Sequence, residues 1–115
     1  HKVCLEVIFE SMRRLKTAGD EWVKDCWVWL YKGAWQEWDI SEIEMAVPMS
    51  PDQAMKKRFG IFIHQSQKDS VPFQGTDARE FWQRAEIRNA HTADLYARLG
   101  LTKYAAIEAF VRWHY

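Results

Sequence analysis

Cysteine is scarce in this sequence, with two in 115 residues. Cys4 lies on a predicted helix and Cys26 begins a predicted strand, and the pair matches neither a disulfide framework nor a CxxC metal motif. We therefore expect both to be buried free thiols.

Net charge and long apolar runs are also lacking. Lys plus Arg and Asp plus Glu number 16 each, so no net field attracts the chain to nucleic acid or to an anionic membrane surface. The longest apolar runs, such as residues 26–31, are far shorter than the ~20 residues of a membrane span, and no signal-peptide pattern opens the chain. These absences predict a soluble, cytoplasmic protein without nucleic-acid or membrane partners.

The sequence contains no complete catalytic motif. P-loop, GxGxxG, HExxH and GxSxG patterns are absent, and spacing alone nominates no Ser-His-Asp trio. Of the four histidines, each on its own is more typical of a capping or solvated side chain than of a ligand. By itself, the chain is therefore expected to be inactive as a catalyst.

Tryptophan, by contrast, is abundant, with seven residues, five of them between positions 22 and 38. Trp27 and Trp29 alternate in an apolar run and are expected to be buried. Trp35 and Trp38 follow that strand in a loop, where ligands gather in open α/β sheets, so they are candidate ligand-edge residues. Three acidic residues of the same loop have irregular spacing and indicate a solvated rim rather than a metal cage: Asp39, Glu42 and Glu44.

Three helices are predicted from apolar stripes and end signals. The first covers residues 2–18 and ends at Gly19. The second covers residues 51 to about 67, because Ser50 and Gln53 form a capping-box pattern around a first-turn proline. The third covers residues 77–99. The first stripe consists of Val3, Cys4, Val7, Ile8, Met12 and Leu15. The second helix is expected to bury Ala54, Phe59, Ile61 and Phe62, with His64 as a further candidate.

Two strands and one open segment complete the pattern. Residues 26–31 predict a central strand covered on both faces, and residues 43–47 predict a second strand that Pro48 keeps short. Residues 104–109 suit a helix, whereas residues 109–113 suit an edge strand. The order indicates one α/β or α+β domain over residues 1–115, with a Rossmann-like sheet favoured, three long helices and about three short strands.

Five segments resemble the C-terminal part of PIG-L-type (LmbE-like) N-deacetylases, most closely the bacterial version that follows a glucosamine-6-phosphate deaminase/isomerase-like module. The resemblance covers nearly the whole chain. On the helix of the third segment, the positions of a family-like Lys, small residue and HxSQ phrase are taken by Lys57, Gly60, His64, Ser66 and Gln67. The segments are HKVCLEVIF, KDCWVWLYKGAWQEWDI, EMAVPMSPDQAMKKRFGIFIHQSQ, REFWQRAEIRNAHTADLYARLGL and YAAIEAF.

The resemblance implies the C-terminal half of a Rossmann-like sheet and a zinc site shared with residues outside the chain. His1 is similar to the family's last zinc ligand, while the early HPDD-like loop, with two ligands and the general base, is absent. Catalytic zinc needs three protein ligands and an open position for water. His64 and Gln67 are expected either to support that site or substrate, or simply to end a helix.

The function implied by the resemblance is removal of N-acetyl groups from amino sugars of the N-acetylglucosamine type, with zinc as cofactor. The missing N-terminal part of the same domain is the expected partner, and an uncovered half-sheet predicts self-association. A non-catalytic module that binds sugar or joins domains through its Trp-rich surface is the alternative.

Overall fold

A computed structural model describes residues 1–67 and 75–114 and divides them into two compact units. The first unit contains residues 1–30 and the end of the chain from Arg112, and the second contains Tyr31–Val111. The loop predicted to follow residue 67 lies, over residues 68–74, outside the described residues. No helix in the described parts of the chain combines the length and apolar character needed to cross a membrane.

Four helices and three strands occur in the described residues, confirming a mixed α/β chain with three long helices and three short strands. The strands form a small antiparallel sheet with the order β1-β3-β2. Along the chain the elements are α1 (Lys2–Ala18), α2 (Glu21–Lys24), β1 (Val28–Leu30), β2 (Met45–Met49), α3 (Pro51–Ile63), α4 (Phe81–Arg98) and β3 (Ala106–Trp113).

Helix α1 has the predicted limits. It ends at Gly19, whose φ of 86° lies in the left-handed region that glycine adopts without steric cost. Its buried residues are Phe9 and Met12, and the Phe9 ring stacks on Trp113 with centroids 3.9 Å apart. One side of α1 therefore packs within its own unit.

Much of the apolar stripe predicted for α1 is not buried. Val3 is 76% exposed, Val7 60% and Ile8 51%, and Cys4 is exposed as well. The expectation of a buried Cys4 is therefore wrong, although neither cysteine is part of a disulfide, as expected. Periodicity indicates an amphipathic helix, but it does not say whether the covering surface lies in the same chain.

The strand predicted over residues 26–31 is shorter and lies at the sheet edge. Only Val28–Leu30 is extended, and β3 rather than β1 is central. Trp27 is 57% exposed, and the guanidinium carbon of Arg112 lies 3.9 Å from its ring centroid. Trp29 is half-buried. The predicted burial of Trp27 is wrong, because an apolar run does not reveal whether strands flank it on both sides.

In the second unit, β2 and β3 pair antiparallel, from Met45 opposite Phe110 to Met49 opposite Ala106. The open question about the C-terminal segment is thus resolved in favour of a strand. Pro48 lies within β2. The strand tolerates a residue without a backbone N–H because β2 is an edge strand and forms backbone hydrogen bonds to a neighbouring strand on one side only. The antiparallel pairing does not confirm the Rossmann-like sheet, whose strands are mostly parallel.

Helices α3 and α4 start and stop at different residues from those predicted. Helix α3 begins with the predicted capping box at Ser50 but ends at Ile63, four residues early. Helix α4 begins at Phe81, four residues late, because Gln83 caps the backbone N–H of Glu80 with a 2.9 Å bond. Phe59, expected to be buried on α3, is 56% exposed.

Candidate functional site

The Lys57 cluster, defined as Lys57, Asn89 and Glu108, joins three elements of the second unit. Lys57 on α3 donates from Nζ to Oδ1 of Asn89 on α4 at 2.6 Å and to the carboxylate of Glu108 on β3. Asn89 in turn donates from Nδ2 to the carbonyl of Ile107 at 3.2 Å. The amide of this buried Asn is therefore satisfied on both its oxygen and its nitrogen.

Asn89 lies between two small buried residues of α4. Ala85 and Ala93 lie one turn before and one turn after Asn89, and all three are buried, with exposures of 7%, 1% and 6% for Ala85, Ala93 and Asn89. Residues four apart share a helix face, and alanine methyl groups allow the helix backbone to approach β3 closely. The buried face of α4 therefore combines these small residues with a few polar ones, of which Asn89 reaches Lys57 and β3.

A cavity of about 200 Å³ lies beside the Lys57 cluster. Its polar lining includes Lys57, Asn89 and a second ion pair, in which Arg58 Nη2 lies 2.8 Å from Glu86 Oε2. The hydrogen bond to Glu86 raises the pKa of Arg58 above its ordinary value. The apolar lining includes Met49, Ala54, Met55, Ala90 and Ala106.

The charges around this cavity balance in pairs. Arg58 pairs with Glu86 inside the lining, and Lys57 pairs with Glu108, which lies outside it. Both cations that line the cavity therefore already have an anionic partner. At about 200 Å³ it is smaller than the ~300 to 1,000 Å³ typical of ligand pockets. The geometry suits a small polar group or part of a larger ligand.

Trp38 and its surroundings form a second polar region of the same unit. Lys32 Nζ lies 4.1 Å from the Trp38 ring centroid and donates to the carbonyl of Glu37 at 3.0 Å. The Glu37 carboxylate pairs with His91. Trp38 is half-buried, so one ring face already has a cationic partner within the chain.

Trp35 is more accessible than Trp38, with 45% of its surface exposed. Its ring centroid lies 4.6 Å from the guanidinium carbon of buried Arg84 and 6.2 Å from the Phe81 ring. Arg84 Nε lies 3.3 Å from Asp77 Oδ2. Trp35 therefore packs over a fixed cation and still presents surface to solvent.

His64 and Gln67 do not share a helix face. Helix α3 ends at Ile63, and His64 is its C-terminal cap, with ψ of 70°. Gln67 follows in a turn, where its backbone N–H donates to the His64 carbonyl at 2.9 Å. Both side chains are exposed. The spacing argument for aiming the two side chains together is wrong, and their functional role stays a prediction.

His1 immediately precedes α1 and is exposed. Within residues 1–67 and 75–114, no three His, Cys, Asp or Glu side chains are grouped in a way that could hold a metal ion. These residues therefore do not form a zinc site by themselves, and the role of His1 as a zinc ligand stays a prediction.

The acidic residues after Trp38 form a local turn. The Asp39 carboxylate accepts from the Ser41 hydroxyl at 2.5 Å and from the Ser41 backbone N–H at 2.9 Å, which lowers the pKa of Asp39. Glu42 Oε2 accepts from the Asp39 backbone N–H at 3.2 Å. These exposed carboxylates hold a turn, in agreement with the predicted solvated rim.

Sequence reasoning did not recognise the Lys57 cluster. Lys57, Asn89 and Glu108 occur in three different family-like segments, and only Lys57 is matched there to an individual family position. An amide residue with an alanine four positions away on each side is the signal that could identify Asn89 as a buried polar residue.

The chain is similar to one segment of a much longer protein. It is 52% identical over 113 residues to a glucosamine-6-phosphate deaminase-like protein of Bacteroides thetaiotaomicron. The match covers 98% of this chain but 17% of that relative, so the chain spans about a sixth of its length. No family model matches the chain, and no solved structure does.

Proposed function

We propose that this chain is the C-terminal part of a PIG-L-type, zinc-dependent N-deacetylase module in a longer amino-sugar enzyme. The first half of the proposal rests on the match to a glucosamine-6-phosphate deaminase-like relative. The chain is 52% identical to a segment that makes up 17% of that protein. The resemblance of five segments to PIG-L deacetylases carries the second half. The substrate would be an N-acetylated amino sugar, and the enzyme would act in the cytoplasm.

The antiparallel pairing of β2 and β3 is compatible with this proposal. Mostly parallel α/β sheets often carry an antiparallel strand at one edge. In the proposed module, the missing N-terminal part of the same domain supplies the parallel strands and the remaining zinc ligands.

The proposed roles of individual residues follow from the resemblance. His1 would contribute one imidazole to zinc, which when bound activates water and polarises the amide carbonyl. His64 and Gln67 would support that site or the substrate, and Trp35 and Trp38 would lie near the ligand edge. Because residues 1–67 and 75–114 contain no group of three metal-binding side chains, these residues would act only in the complete module.

Acetate release from N-acetylglucosamine and its 6-phosphate, measured with and without zinc, tests the activity. The full-length polypeptide should release acetate and lose that activity with a chelator, whereas the 115-residue chain should release none. A parallel assay of ammonia release from glucosamine-6-phosphate separates a deaminase module from the deacetylase. A zinc-loaded full-length protein without deacetylase activity would refute the proposal.

Substitution of His64 and Gln67 by Ala in the full-length polypeptide tests their roles. If they support the zinc site, activity or metal affinity should fall roughly 10- to 100-fold. Gln65→Ala is a control for the activity readout, because Gln65 is exposed in the same turn. Its Nε2 donates to the Phe62 carbonyl at 2.6 Å, so this substitution should lower stability without lowering turnover. Unchanged turnover with a lower melting temperature would assign the pair to the end of α3 instead.

A non-catalytic sugar-binding module is the second candidate, favoured by the exposure of Trp35 at 45%. Flat indole rings stack on the apolar faces of sugars. Titration with N-acetylglucosamine, followed by tryptophan fluorescence, should then give saturable binding that Trp35→Ala removes and Trp22→Ala keeps. Trp22 suits the control because it is 56% exposed and lies in the other unit.

A further inference from the structure

Helix α1 is apolar over a wider part of its circumference than its own unit buries. Phe9 and Met12 are buried, and Phe9 stacks on Trp113. The α1 stripe, defined here as Val3, Cys4, Val7 and Ile8, is exposed along its whole length. Residues at these spacings lie side by side on a helix, so the stripe is continuous.

The exposure of the stripe is unusual for a soluble helix. Single apolar residues on a surface are normal, whereas contiguous apolar patches mark interaction sites. Val3 and Val7 keep 76% and 60% of their surface exposed. Polar residues occur around the rest of the helix and form ion pairs there, including Glu10 with Arg14 at 2.8 Å. The apolar stripe therefore has the composition of a buried helix face, but it is exposed to solvent.

The comparison with the relative points to what covers the stripe. The match begins and ends almost with this chain, since it covers 98% of it, yet it accounts for only 17% of the relative. In that protein, the equivalent helix belongs to a polypeptide about six times as long. Most of that polypeptide lies outside the matched segment and is tethered to it, which gives it a high effective concentration.

We infer that the α1 stripe is an intramolecular docking face, covered by an apolar surface from the rest of the longer polypeptide. The inference rests on the first half of the proposed function, namely that the chain is part of such a polypeptide. It is independent of the deacetylase activity. The covering surface must be apolar and free of unpaired charge, because buried ions without partners are costly.

Cys4 provides a probe in the middle of the stripe. The test measures the alkylation rate of Cys4 in the native full-length polypeptide by mass spectrometry. A covered stripe should slow the labelling roughly 100-fold or more relative to the unfolded protein, because labelling then requires local opening. The matched control is Glu6→Cys in a Cys4→Ser background, since Glu6 is an exposed residue of α1 outside the stripe; its labelling should be fast.

Two variants test whether the stripe itself makes the contact. Val7→Asp should restore fast labelling of Cys4, and Val7→Ala, which retains a helix-forming apolar residue, should accelerate it to a smaller extent. Labelling of Cys4 in the unmodified polypeptide at the rate of the Glu6→Cys control would overturn the inference. So would protection that the Val7 variants do not change.

The labelling also shows whether a second copy of the protein covers the stripe instead. It separates failure of this inference from failure of the proposed function. Protection that disappears on dilution would assign the stripe to a second copy and overturn the intramolecular proposal. A full-length protein with protected Cys4 and no deacetylase activity would refute the proposed enzyme but support the docking face.

Discussion

Lys57 illustrates how one side chain can connect a helix, a second helix and a strand. Its ammonium group contacts Asn89 and Glu108, which lie 32 and 51 residues away along the chain. The Lys57 and Glu108 side chains are 34% and 19% exposed, so water screens the pair only in part. Loss of one partner leaves the other partly buried and unsatisfied, which usually costs more than the pair contributes.

Glu108→Gln is therefore expected to destabilise the second unit. The substitution preserves the shape of the side chain but removes the charge opposite Lys57, and the expected loss is about 1–3 kcal/mol in the free energy of unfolding. Urea denaturation measures it. In a double-mutant cycle with Lys57→Met, the combined variant should lose less than the sum of the two single losses; strict additivity would contradict the coupling.

Asp77 should make stability depend on pH in the acidic range. The Arg79 guanidinium, the backbone N–H of Arg79 and the nearby Arg84 charge hold the pKa of Asp77 well below its usual value. A carboxyl group whose pKa is lower in the folded state stabilises the fold above its unfolded pKa of about 3.9, and the contribution is lost as the pH falls through the folded pKa.

The expected result is that Asp77→Asn is less stable than the unmodified chain at pH 7, and that this difference shrinks below about pH 4. Denaturation midpoints from pH 7 to pH 2 measure it. Arg79→Ala should have little further effect in the Asp77→Asn background. A stability difference independent of pH would show that the ionised carboxylate is not responsible.

At the scale of the element, the start of α3 depends on a reciprocal cap. Ser50 Oγ accepts from the Gln53 backbone N–H at 3.3 Å, and Gln53 Oε1 accepts from the Ser50 N–H at 2.9 Å. Both bonds satisfy donors that the first turn of a helix leaves free. Pro51 follows at the first helical position, where its missing N–H has no cost.

Ser50→Ala should lower stability by about 1 kcal/mol, since it removes the acceptor for Gln53. Ser11→Ala is the matched control, because Ser11 is an exposed residue inside α1 and alanine is the better helix former there. Thermal unfolding followed by circular dichroism compares the two. Equal effects of both substitutions would exclude a specific role for the cap.

Capping chemistry made the helices more predictable than the strands. The α1 limits and the α3 start were predicted because Gly19 and Ser50 act locally. The α4 start was predicted too early, because Asp77 pairs with Arg79 instead of capping the helix, and Gln83 caps the helix at Glu80 instead. The place of a strand in a sheet depends on distant segments, so the aromatic run around Trp27 was taken for a central strand.

The candidate site was less predictable than the fold for the same reason. Nothing local in the sequence connects Lys57, Asn89 and Glu108, which meet only through the packing of α3, α4 and β3. The apolar stripe of α1 was recognised from its spacing. Whether this chain or another part of a polypeptide covers the stripe is not encoded in that spacing.

At the scale of the whole molecule, the small core of the first unit makes Phe9 important. Phe9 is 9% exposed, and its ring lies parallel to Trp113 within 7°. Phe9→Ala should cost the first unit about 3 kcal/mol by leaving a cavity against Trp113. Native-state hydrogen exchange should show faster exchange in α1, with Met12→Ala giving a comparable effect. Unchanged exchange in α1 would contradict this role of the stack.

Pro48 also has a consequence for the behaviour of the protein at high concentration. Exposed strand edges are templates on which other chains polymerise, and a proline interrupts the row of N–H donors that such growth requires. Because Pro48 is the fourth of the five residues of the edge strand β2, we expect it to hinder amyloid-like stacking on that edge. Pro48 is thus expected to oppose misassembly at the edge of the sheet whose central strand carries Glu108.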